Sequence, residues 1–404
     1  MLNTVRVYFN LFAMTFDFDE PVCRRGTASY KWDSRPDLPD DMIPLWVADM
    51  DFRVAPPIID ALQCRLDGGV FGYTFVPQAY YDAITRWFDT YHSWHITQEE
   101  VIYTSGVVPA LSAIIKALAP EGSKVLVSTP VYNCFFSSIR NNGCVALECP
   151  LQRTADSYEI DFEAFEQCAA DSDCHLFLLC NPHNPACRAW TEDELRRMAD
   201  ICRRHGVTVV SDEIHCEIVF PPYRYTPYAT IAPDCRWVAC VSPSKAFNIA
   251  GLQIANIVCP DPEMRAKIDR AININEVCDV NPFGVEALMA AYTDGGEEWL
   301  VALRRYLTAN YEWLRQYMAE ALPHLPVMRM EGTYLAWVDC SALGVTSEAI
   351  EERLLREHKV WVNAGSMYGS EGEHFIRINM ACPRERLVEG VKRIVEGLAD
   401  WNKD

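Results

Sequence analysis

The sequence predicts an α/β protein with a mostly parallel sheet flanked by helices and a second, smaller α+β domain. From about residue 57 to residue 296, short apolar runs alternate with helix-periodic segments, a pattern typical of a parallel sheet covered on both faces. After Gly296 a long amphipathic segment begins, followed by alternating strand-like and helical stretches. A chain of 404 residues, half of them hydrophobic, is long enough for two such lobes.

Seven apolar runs predict the strands of the large sheet. They are VIYTS (101–105), KVLVST (124–129), CVALECP (144–150), HLFLLC (175–180), VTVVSD (207–212), WVACVS (237–242) and ANIVC (255–259). Helices are predicted between them at 108–119, 131–143, 192–206 and 262–274. The smaller domain is predicted to contain helices at 297–322, 346–358 and 384–401, with strands at 332–340 and 374–382.

These patterns predict three parts of the chain. Residues 1–56 form an N-terminal segment that contributes to the small domain, 57–296 form the large domain and 297–404 form the C-terminal small domain. The sequence contains no internal repeat and no low-complexity linker, so we expect the long helix to join the lobes.

Composition excludes several classes of partner. The formal charge of −20 would repel nucleic acid and anionic membranes, and charges interrupt every apolar run before it reaches the length of a membrane span. The 17 cysteines are scattered without a C-x-x-C pair, which predicts buried thiols in a reducing cytoplasm and no metal site. Residues 1–13 lack the features of a signal peptide, and Met14 is an alternative start to Met1.

Three polar residues follow predicted buried strands directly. Asn181 follows HLFLLC, Asp212 ends VTVVSD, and Lys245 lies in a Ser-Pro-Ser-Lys turn after WVACVS. Ligands of open parallel sheets bind outside the carboxyl ends of the strands, so we expect these side chains to converge on one crevice.

A lysine in such a crevice loses solvation, which favours its neutral amine and allows a Schiff base with a carbonyl compound. Pyridoxal phosphate is the cofactor that pairs such a lysine with a carboxylate on its ring nitrogen. Asp212 fits that carboxylate, and Lys245 fits the amine. The sequence therefore predicts a pyridoxal-phosphate site.

Other residues complete this predicted site. Ser105, Gly106 and Val107 open a helix whose free N–H groups and dipole attract phosphate. Ser242 and Ser244 flank the lysine as hydroxyl donors to the same phosphate. Tyr132 is predicted to stack on the cofactor ring, and Asn181 to donate to its phenolic oxygen.

Each of these residues has a structural alternative when it is taken alone. Asp212 is as easily a helix N-cap, Asn181 a turn former before Pro182, Tyr132 a core ring, and Lys245 a lysine that extends from an apolar stretch to water. Their common position at strand ends favours the functional interpretation.

Several motifs together resemble one enzyme family. They are PLWVADMDF (44–52), FGYTF (71–75), SGVVPAL (105–111), NPHNP (181–185), SDEIHCE (211–217), SPSKAFNIAGLQ (242–253) and FIRINMACP (375–383). From about Lys31 to the C-terminus the chain resembles fold-type I pyridoxal-phosphate enzymes of the class I/II aminotransferase superfamily. Within that superfamily it resembles the cystathionine β-lyases, or C–S lyases, of the MalY/PatB type.

The resemblance implies roles for residues around the cofactor. Lys245 would form the Schiff base and move the substrate Cα proton, Asp212 would pair with the ring nitrogen, and Tyr132 would stack on the ring. Asn181 would contact the phenolic oxygen, and His215 would stand near that oxygen.

The resemblance also implies how the phosphate and the substrate are held. The phosphate would take donors from the Gly106 turn, the Val107 and Val108 amides, Ser242 and Ser244. Tyr73 would reach that phosphate from the neighbouring subunit, which implies a homodimer with shared active sites. Arg377 would bind the substrate carboxylate, although an arginine in a strand can equally pair with a nearby acid.

The chain departs from the family pattern at a few positions. It has NPACRAW where relatives commonly have Thr-Gly after the second proline, SKAFN where many have SKTFN, and Gln253 where aminotransferases have a phosphate-binding arginine. The expected activity is α,β-elimination from cystathionine or a related cysteine S-conjugate. An aminotransferase of class I/II is the alternative enzyme, and a non-catalytic regulatory protein is the alternative outside enzymes.

Overall fold

The computed structural model describes residues 16–274, 279–399 and 401. Its helices are α1 Tyr30–Asp33, α2 Pro56–Asp67, α3 Gln78–His92, α4 Val107–Leu118, α5 Cys134–Asn141, α6 Phe162–Ala169, α7 Glu192–His205, α8 Tyr228–Ile231, α9 Pro262–Asn273, α10 Pro282–Ala291, α11 Asp294–Ala321, α12 Ser347–Arg356 and α13 Arg384–Ala399. The segment 1–13 and the alternative start at Met14 lie outside the described residues.

The strands fall into one large sheet and several small ones. They are β1 Ile43–Pro44, β2 Val101–Thr104, β3 Lys124–Thr129, β4 Val145–Pro150, β5 Gln152–Arg153, β6 Tyr158–Glu159, β7 Cys174–Cys180, β8 Thr208–Asp212, β9 Trp237–Val241, β10 Ala255–Val258, β11 Leu335–Asp339, β12 Val360–Trp361, β13 Asn363–Ala364 and β14 Phe375–Asn379. All seven predicted strands of the large domain occur in a single seven-stranded sheet.

The large sheet has the order β2-β10-β9-β8-β7-β3-β4 and is mostly parallel, as predicted. Only β10 runs antiparallel to both of its neighbours. The chain between β9 and β10 contains the Ser-Pro-Ser-Lys turn and a short 3₁₀ turn in place of a crossover helix, and a parallel return needs such a crossover. The carboxyl ends of β2, β3, β7, β8 and β9 consequently meet at one edge of the sheet.

Helices cover both faces of this sheet. The apolar side chains of β3, β7, β8 and β9 divide between two buried clusters, because alternate residues of a strand face opposite sides. One cluster packs on α4 and α5, and the other packs on α3, α7 and α11. The Thr191–Glu194 capping box at the start of α7 is one local reason that this helix begins where it does.

The C-terminal part forms a smaller α+β unit. An antiparallel sheet in the order β11-β14-β13 packs with α12, and α13 packs on α11 and α12. The N-terminal segment joins this unit, since β1 pairs in parallel with β12. The predicted α/β fold class is confirmed, while the boundaries at residues 56 and 296 stay a prediction.

Two further observations concern the helices and the cysteines. Among the described residues, none of the helices combines the length and apolar character needed to cross a membrane. The cysteines of the described chain are free thiols, and most of them are buried.

Candidate active site

Five loops at the carboxyl edge of the large sheet surround a cavity of about 200 Å³. The predicted residues that line it are Gly106, Val107, Val108, Tyr132, Asp212, His215, Ser244 and Lys245. Residues from four separate strand ends and one helix start are thus brought together across more than a hundred positions of sequence. The cavity wall also includes Gln253, noted above as a departure from the aminotransferase pattern, and three residues that the sequence did not single out: Ala48, Asn184 and Ile214.

Lys245 lies partly buried in the turn after β9. The Phe247 N–H donates to the Pro243 carbonyl at 2.9 Å, which closes the turn and directs the lysine toward the cavity. Its Nζ donates to the carbonyl oxygen of Ala48 at 2.6 Å. Burial lowers the pKa of Lys245 to about 8, although nearby Asp49 and Asp212 oppose this effect. An amine with this pKa is available in its neutral form near physiological pH.

Asp212 is the last residue of β8 and is almost completely buried. One carboxylate oxygen accepts the Ile214 N–H at 3.2 Å. The pKa of Asp212 is raised to about 7, mainly by burial; the Ile214 N–H and Lys245 oppose the rise, and the neighbouring Glu213 adds to it. A cation placed against this carboxylate would therefore be strongly favoured, because it would stabilise the charged form.

The N-terminus of α4 faces the cavity. Gly106 is the N-cap in an extended conformation, and the first turn, which includes Val107 and Val108, contains no acidic residue. The first N–H groups of a helix have no partner within the helix and attract anions. Ser244 lines the same end of the cavity, so the donors predicted for a phosphate are present there.

His215 and Tyr132 form the aromatic part of the cavity wall. The His215 Nδ1 atom is buried without a hydrogen-bond partner among the described residues. Burial, with the nearby positive charges of Lys245 and Arg377, lowers the pKa of His215 to about 3. A neutral imidazole with an unpaired nitrogen is suited to a polar ligand atom in the cavity.

Arg377 lies in β14 and is buried. Its guanidinium donates to the Trp46 carbonyl at 3.0 Å and to the Asn184 side-chain oxygen at 3.3 Å, and it lies 4.9 Å from the centre of the Tyr368 ring. Its Nε has no partner, and no carboxylate in the described part of the chain forms an ion pair with it. Among the described residues Arg377 thus has polar and aromatic neighbours but no acidic partner, and carboxylate binding by Arg377 stays a prediction.

The prediction for Asn181 requires a correction. Its amide nitrogen donates to the Thr226 carbonyl at 2.9 Å and to Glu213 at 3.4 Å, and Asn181 is not among the residues that line the cavity. Asn184, the second asparagine of NPHNP, lines the cavity and contacts Arg377. We therefore transfer the role predicted for Asn181 to Asn184.

Ser242 also differs from its prediction. Its hydroxyl donates to the Ile254 carbonyl at 2.6 Å and accepts the Ser244 N–H at 3.1 Å, so it does not line the cavity. Ser242 thus shapes the turn, and Ser244 is the serine that faces the cavity. Tyr73 lies outside the cavity of its own chain and is 97% exposed.

The residues of this cavity fit pyridoxal phosphate. The unpaired N–H groups at the start of α4 suit its phosphate, the buried Asp212 carboxylate suits its ring nitrogen, and the unpaired His215 Nδ1 suits a polar ring substituent. The partly buried amine of Lys245 lies in the same cavity. This donor set, on this fold, defines the class of pyridoxal-phosphate enzymes of fold type I.

Comparison with known proteins agrees with this class. The family model "Aminotransferase class I and II" matches residues 40–394, and the chain belongs to this family. It is 40% identical to the cystathionine β-lyase PatB of Bacillus subtilis over 387 residues, which are 95% of this chain and 100% of PatB. It is 35% identical to the protein MalY of Escherichia coli, covering 95% of this chain and 99% of MalY.

A solved structure supports the same relationship. Cystalysin from Treponema denticola, which contains a pyridoxal 5′-phosphate cofactor, superposes with a TM-score of 0.92 at 31% identity and covers 96% of this chain and 100% of its own. The resemblance predicted from the motifs is confirmed.

Proposed function

We propose that this protein is a pyridoxal-phosphate-dependent C–S lyase. Its substrate would be an L-amino acid with a thioether on Cβ, such as L-cystathionine or a related cysteine S-conjugate, and its products a thiol, pyruvate and ammonia. The observation that carries the proposal is the convergence of Lys245 and Asp212 on one cavity. The similarity to PatB, named a cystathionine β-lyase, supports the substrate class.

Named residues would hold the cofactor and the substrate. Asp212 would hold the ring nitrogen, His215 and Asn184 the polar ring edge, and Tyr132 the ring face. The N–H groups of Val107 and Val108, with Ser244, would hold the phosphate. When bound, the cofactor supplies an electron sink for negative charge at the substrate Cα.

The chain's own residues would then move one proton and orient one carboxylate. Arg377 would bind the substrate carboxylate with two N–H groups and turn the Cα–H bond toward Lys245. The Lys245 amine would take the Cα proton, which is favourable for an amine of pKa about 8. The Cβ–S bond would break with its electron pair on sulfur, and the thiolate would take up a proton. Water would convert the released three-carbon enamine to pyruvate and ammonia.

Product analysis separates the lyase from an aminotransferase. The purified protein is incubated with cystathionine, and separately with an amino donor and a keto acid. Pyruvate with homocysteine supports the lyase, whereas a new amino acid without thiol release supports the aminotransferase. The Lys245→Ala variant is the control and is expected to release no thiol.

We further propose a cytoplasmic homodimer whose subunits share active sites. Tyr73 lies in a segment of exposed apolar side chains that also includes Val70 at 76% and Phe75 at 80% exposure. A contiguous apolar patch of this kind is typical of a protein interface, and a second copy would cover it. Tyr73 would then approach the phosphate end of the partner's cavity.

A further inference from the structure

A short segment of the N-terminal chain, residues 46–50, passes beside the cavity, which its central residue Ala48 lines; we call this segment the strap. All five of its backbone carbonyls accept a hydrogen bond from a side chain. The donors are Asn363 and Arg377 for Trp46, Asn379 for Val47, Lys245 and Tyr334 for Ala48, Asn379 and Lys31 for Asp49, and Asn248 and Arg24 for Met50. The strap is therefore held at every residue, and its carbonyls have fixed positions.

The Ala48 carbonyl differs from the other four because one of its donors is the reactive amine. Lys245 Nζ donates to it at 2.6 Å, and the Tyr334 hydroxyl donates to it at 3.0 Å. Tyr334 precedes β11 and is completely buried. A carbonyl oxygen has two lone pairs, so both donors can bind it at the same time.

We propose that the Ala48 carbonyl is the docking point of the Lys245 amine whenever that amine is not bonded to the cofactor, and that Tyr334 is a positioning residue that keeps this carbonyl paired when Lys245 leaves. This inference rests on the proposed function, because only that function requires Lys245 to alternate between two bonding states.

The role of Tyr334 follows from the energetics of buried polar groups. A buried carbonyl without a hydrogen-bond donor is unfavourable. If Lys245 were the sole donor to the Ala48 carbonyl, its departure would leave that carbonyl unpaired and would cost free energy. The Tyr334 hydroxyl removes this cost because it remains on the carbonyl. The same hydroxyl also shares the Ala48 carbonyl oxygen with Lys245, so this oxygen binds the docked Lys245 ammonium less strongly.

The docked position also serves the proton transfer. After Lys245 takes the Cα proton it is an ammonium ion, and one of its N–H groups donates to Ala48. Asn379 anchors the strap on both sides of Ala48, at the Val47 and Asp49 carbonyls. The ammonium is thus held at a fixed point of the cavity wall for the next proton transfer.

The first test uses the cofactor-free protein and two variants, Tyr334→Phe and Tyr311→Phe. Tyr311 is a matched control, because its buried hydroxyl also donates to a backbone carbonyl, that of Met328, at 3.0 Å. Brief acetylation with acetic anhydride at a series of pH values, with mass spectrometry of the Lys245 peptide, gives the proton affinity of this amine. We expect Tyr334→Phe to raise that affinity about fivefold, and Tyr311→Phe to leave it unchanged.

A second readout is the binding of pyridoxal phosphate, followed by absorbance. Tyr334→Phe should weaken binding about tenfold, because Ala48 would lose its last donor when Lys245 engages the cofactor. If both Tyr334→Phe measurements match those of Tyr311→Phe, the inference is wrong.

If Tyr334→Phe fails to fold, a third variant tests the same inference. Site-specific 3-fluorotyrosine at position 334 keeps the ring and the hydroxyl and makes the hydroxyl a stronger donor. It should lower the proton affinity of Lys245, opposite to the Phe variant, and an unchanged affinity would overturn the inference. The labelling does not depend on turnover. A wild-type protein that binds the cofactor but releases no thiol from any cysteine S-conjugate would instead overturn the proposed function.

Discussion

Lys245 and Asp212 share one buried environment that acts on them in opposite directions. Burial lowers the pKa of the lysine to about 8 and raises that of the aspartate to about 7, because in both cases it disfavours the charged form. The pKa values of the two groups, which are ordinarily far apart, thereby both lie close to neutral pH. Such strongly shifted groups in one cavity are typical of a catalytic site.

The raised pKa of Asp212 predicts a pH-dependent stability of the cofactor-free protein. The pKa is about 7 in the folded protein and 3.8 is the ordinary value of an aspartate, so folding takes up a proton between these pH values. The stabilisation is complete below about pH 4 and is lost as the pH rises through 7. Relative to Asp212→Asn, the wild type should lose on the order of 4 kcal/mol across this range. Denaturant unfolding at each pH measures it; parallel curves for the two proteins would contradict the prediction.

The role proposed for Arg377 predicts a specific loss on substitution by lysine. Arg377→Lys keeps the positive charge but cannot make two parallel hydrogen bonds to a carboxylate. We expect KM for cystathionine to rise about tenfold or more, as measured by thiol release. Arg203→Lys, on the exposed face of α7, is the control. An unchanged KM for Arg377→Lys would place carboxylate binding elsewhere.

Part of the site could be predicted at the level of residues. Lys245, Asp212 and Tyr132 were predictable because each directly follows or ends a buried strand, and strand ends have a known place in this architecture. Asn181 and Asn184 both precede prolines in one turn, so only the fold reveals which amide faces the cavity. The Ala48 contact was not predictable, because a backbone carbonyl leaves no residue-specific signal in a sequence.

At the scale of elements, the start of α4 is the feature that we propose binds the cofactor phosphate. Val107 is the first helical residue, a position at which proline preserves the helix but removes the N–H group. We expect Val107→Pro to weaken pyridoxal-phosphate binding about tenfold relative to Val107→Ala, which keeps the N–H group. Titration of the cofactor-free proteins measures this difference. Equal affinities for the two variants would exclude the Val107 amide as a phosphate donor.

The strands were predicted more closely than the helices and the strand directions. Apolar runs bounded by polar residues set the seven strands within one or two residues. Helix α5 begins at Cys134 although periodicity predicted a helix from Val131, because Val131 pairs with Pro185 in an isolated antiparallel β-bridge. The antiparallel direction of β10 depends on the shape of the Lys245 turn, and periodicity contains no information on that shape.

At the scale of the whole molecule, the site depends on parts that are distant in sequence. The strap from the N-terminal segment lies between Lys245 of the large sheet and Arg377 of the C-terminal unit, and it contacts both. The fold class was predictable because it follows from the alternation of elements. The strap contacts were not, since they join residues about 200 and 330 positions apart.

A shared dimeric site predicts complementation between two inactive subunits. Lys245→Ala and Tyr73→Ala subunits are mixed, dissociated and reassociated. If Tyr73 acts across the interface, each hybrid dimer contains one site with both native residues and regains activity. If Tyr73 acts within its own subunit, no site regains both residues, and the mixture stays as inactive as its components. Thiol release from cystathionine measures the outcome, and sedimentation confirms the dimer.

The central claim, that Lys245 bonds covalently to pyridoxal phosphate, has one direct test. The purified protein is loaded with pyridoxal phosphate, reduced with borohydride and digested, and the modified peptide is sequenced by mass spectrometry. We expect a single phosphopyridoxyl group on Lys245, and none in Lys245→Ala. Modification of a different lysine, or no modification of the loaded protein, would contradict the account.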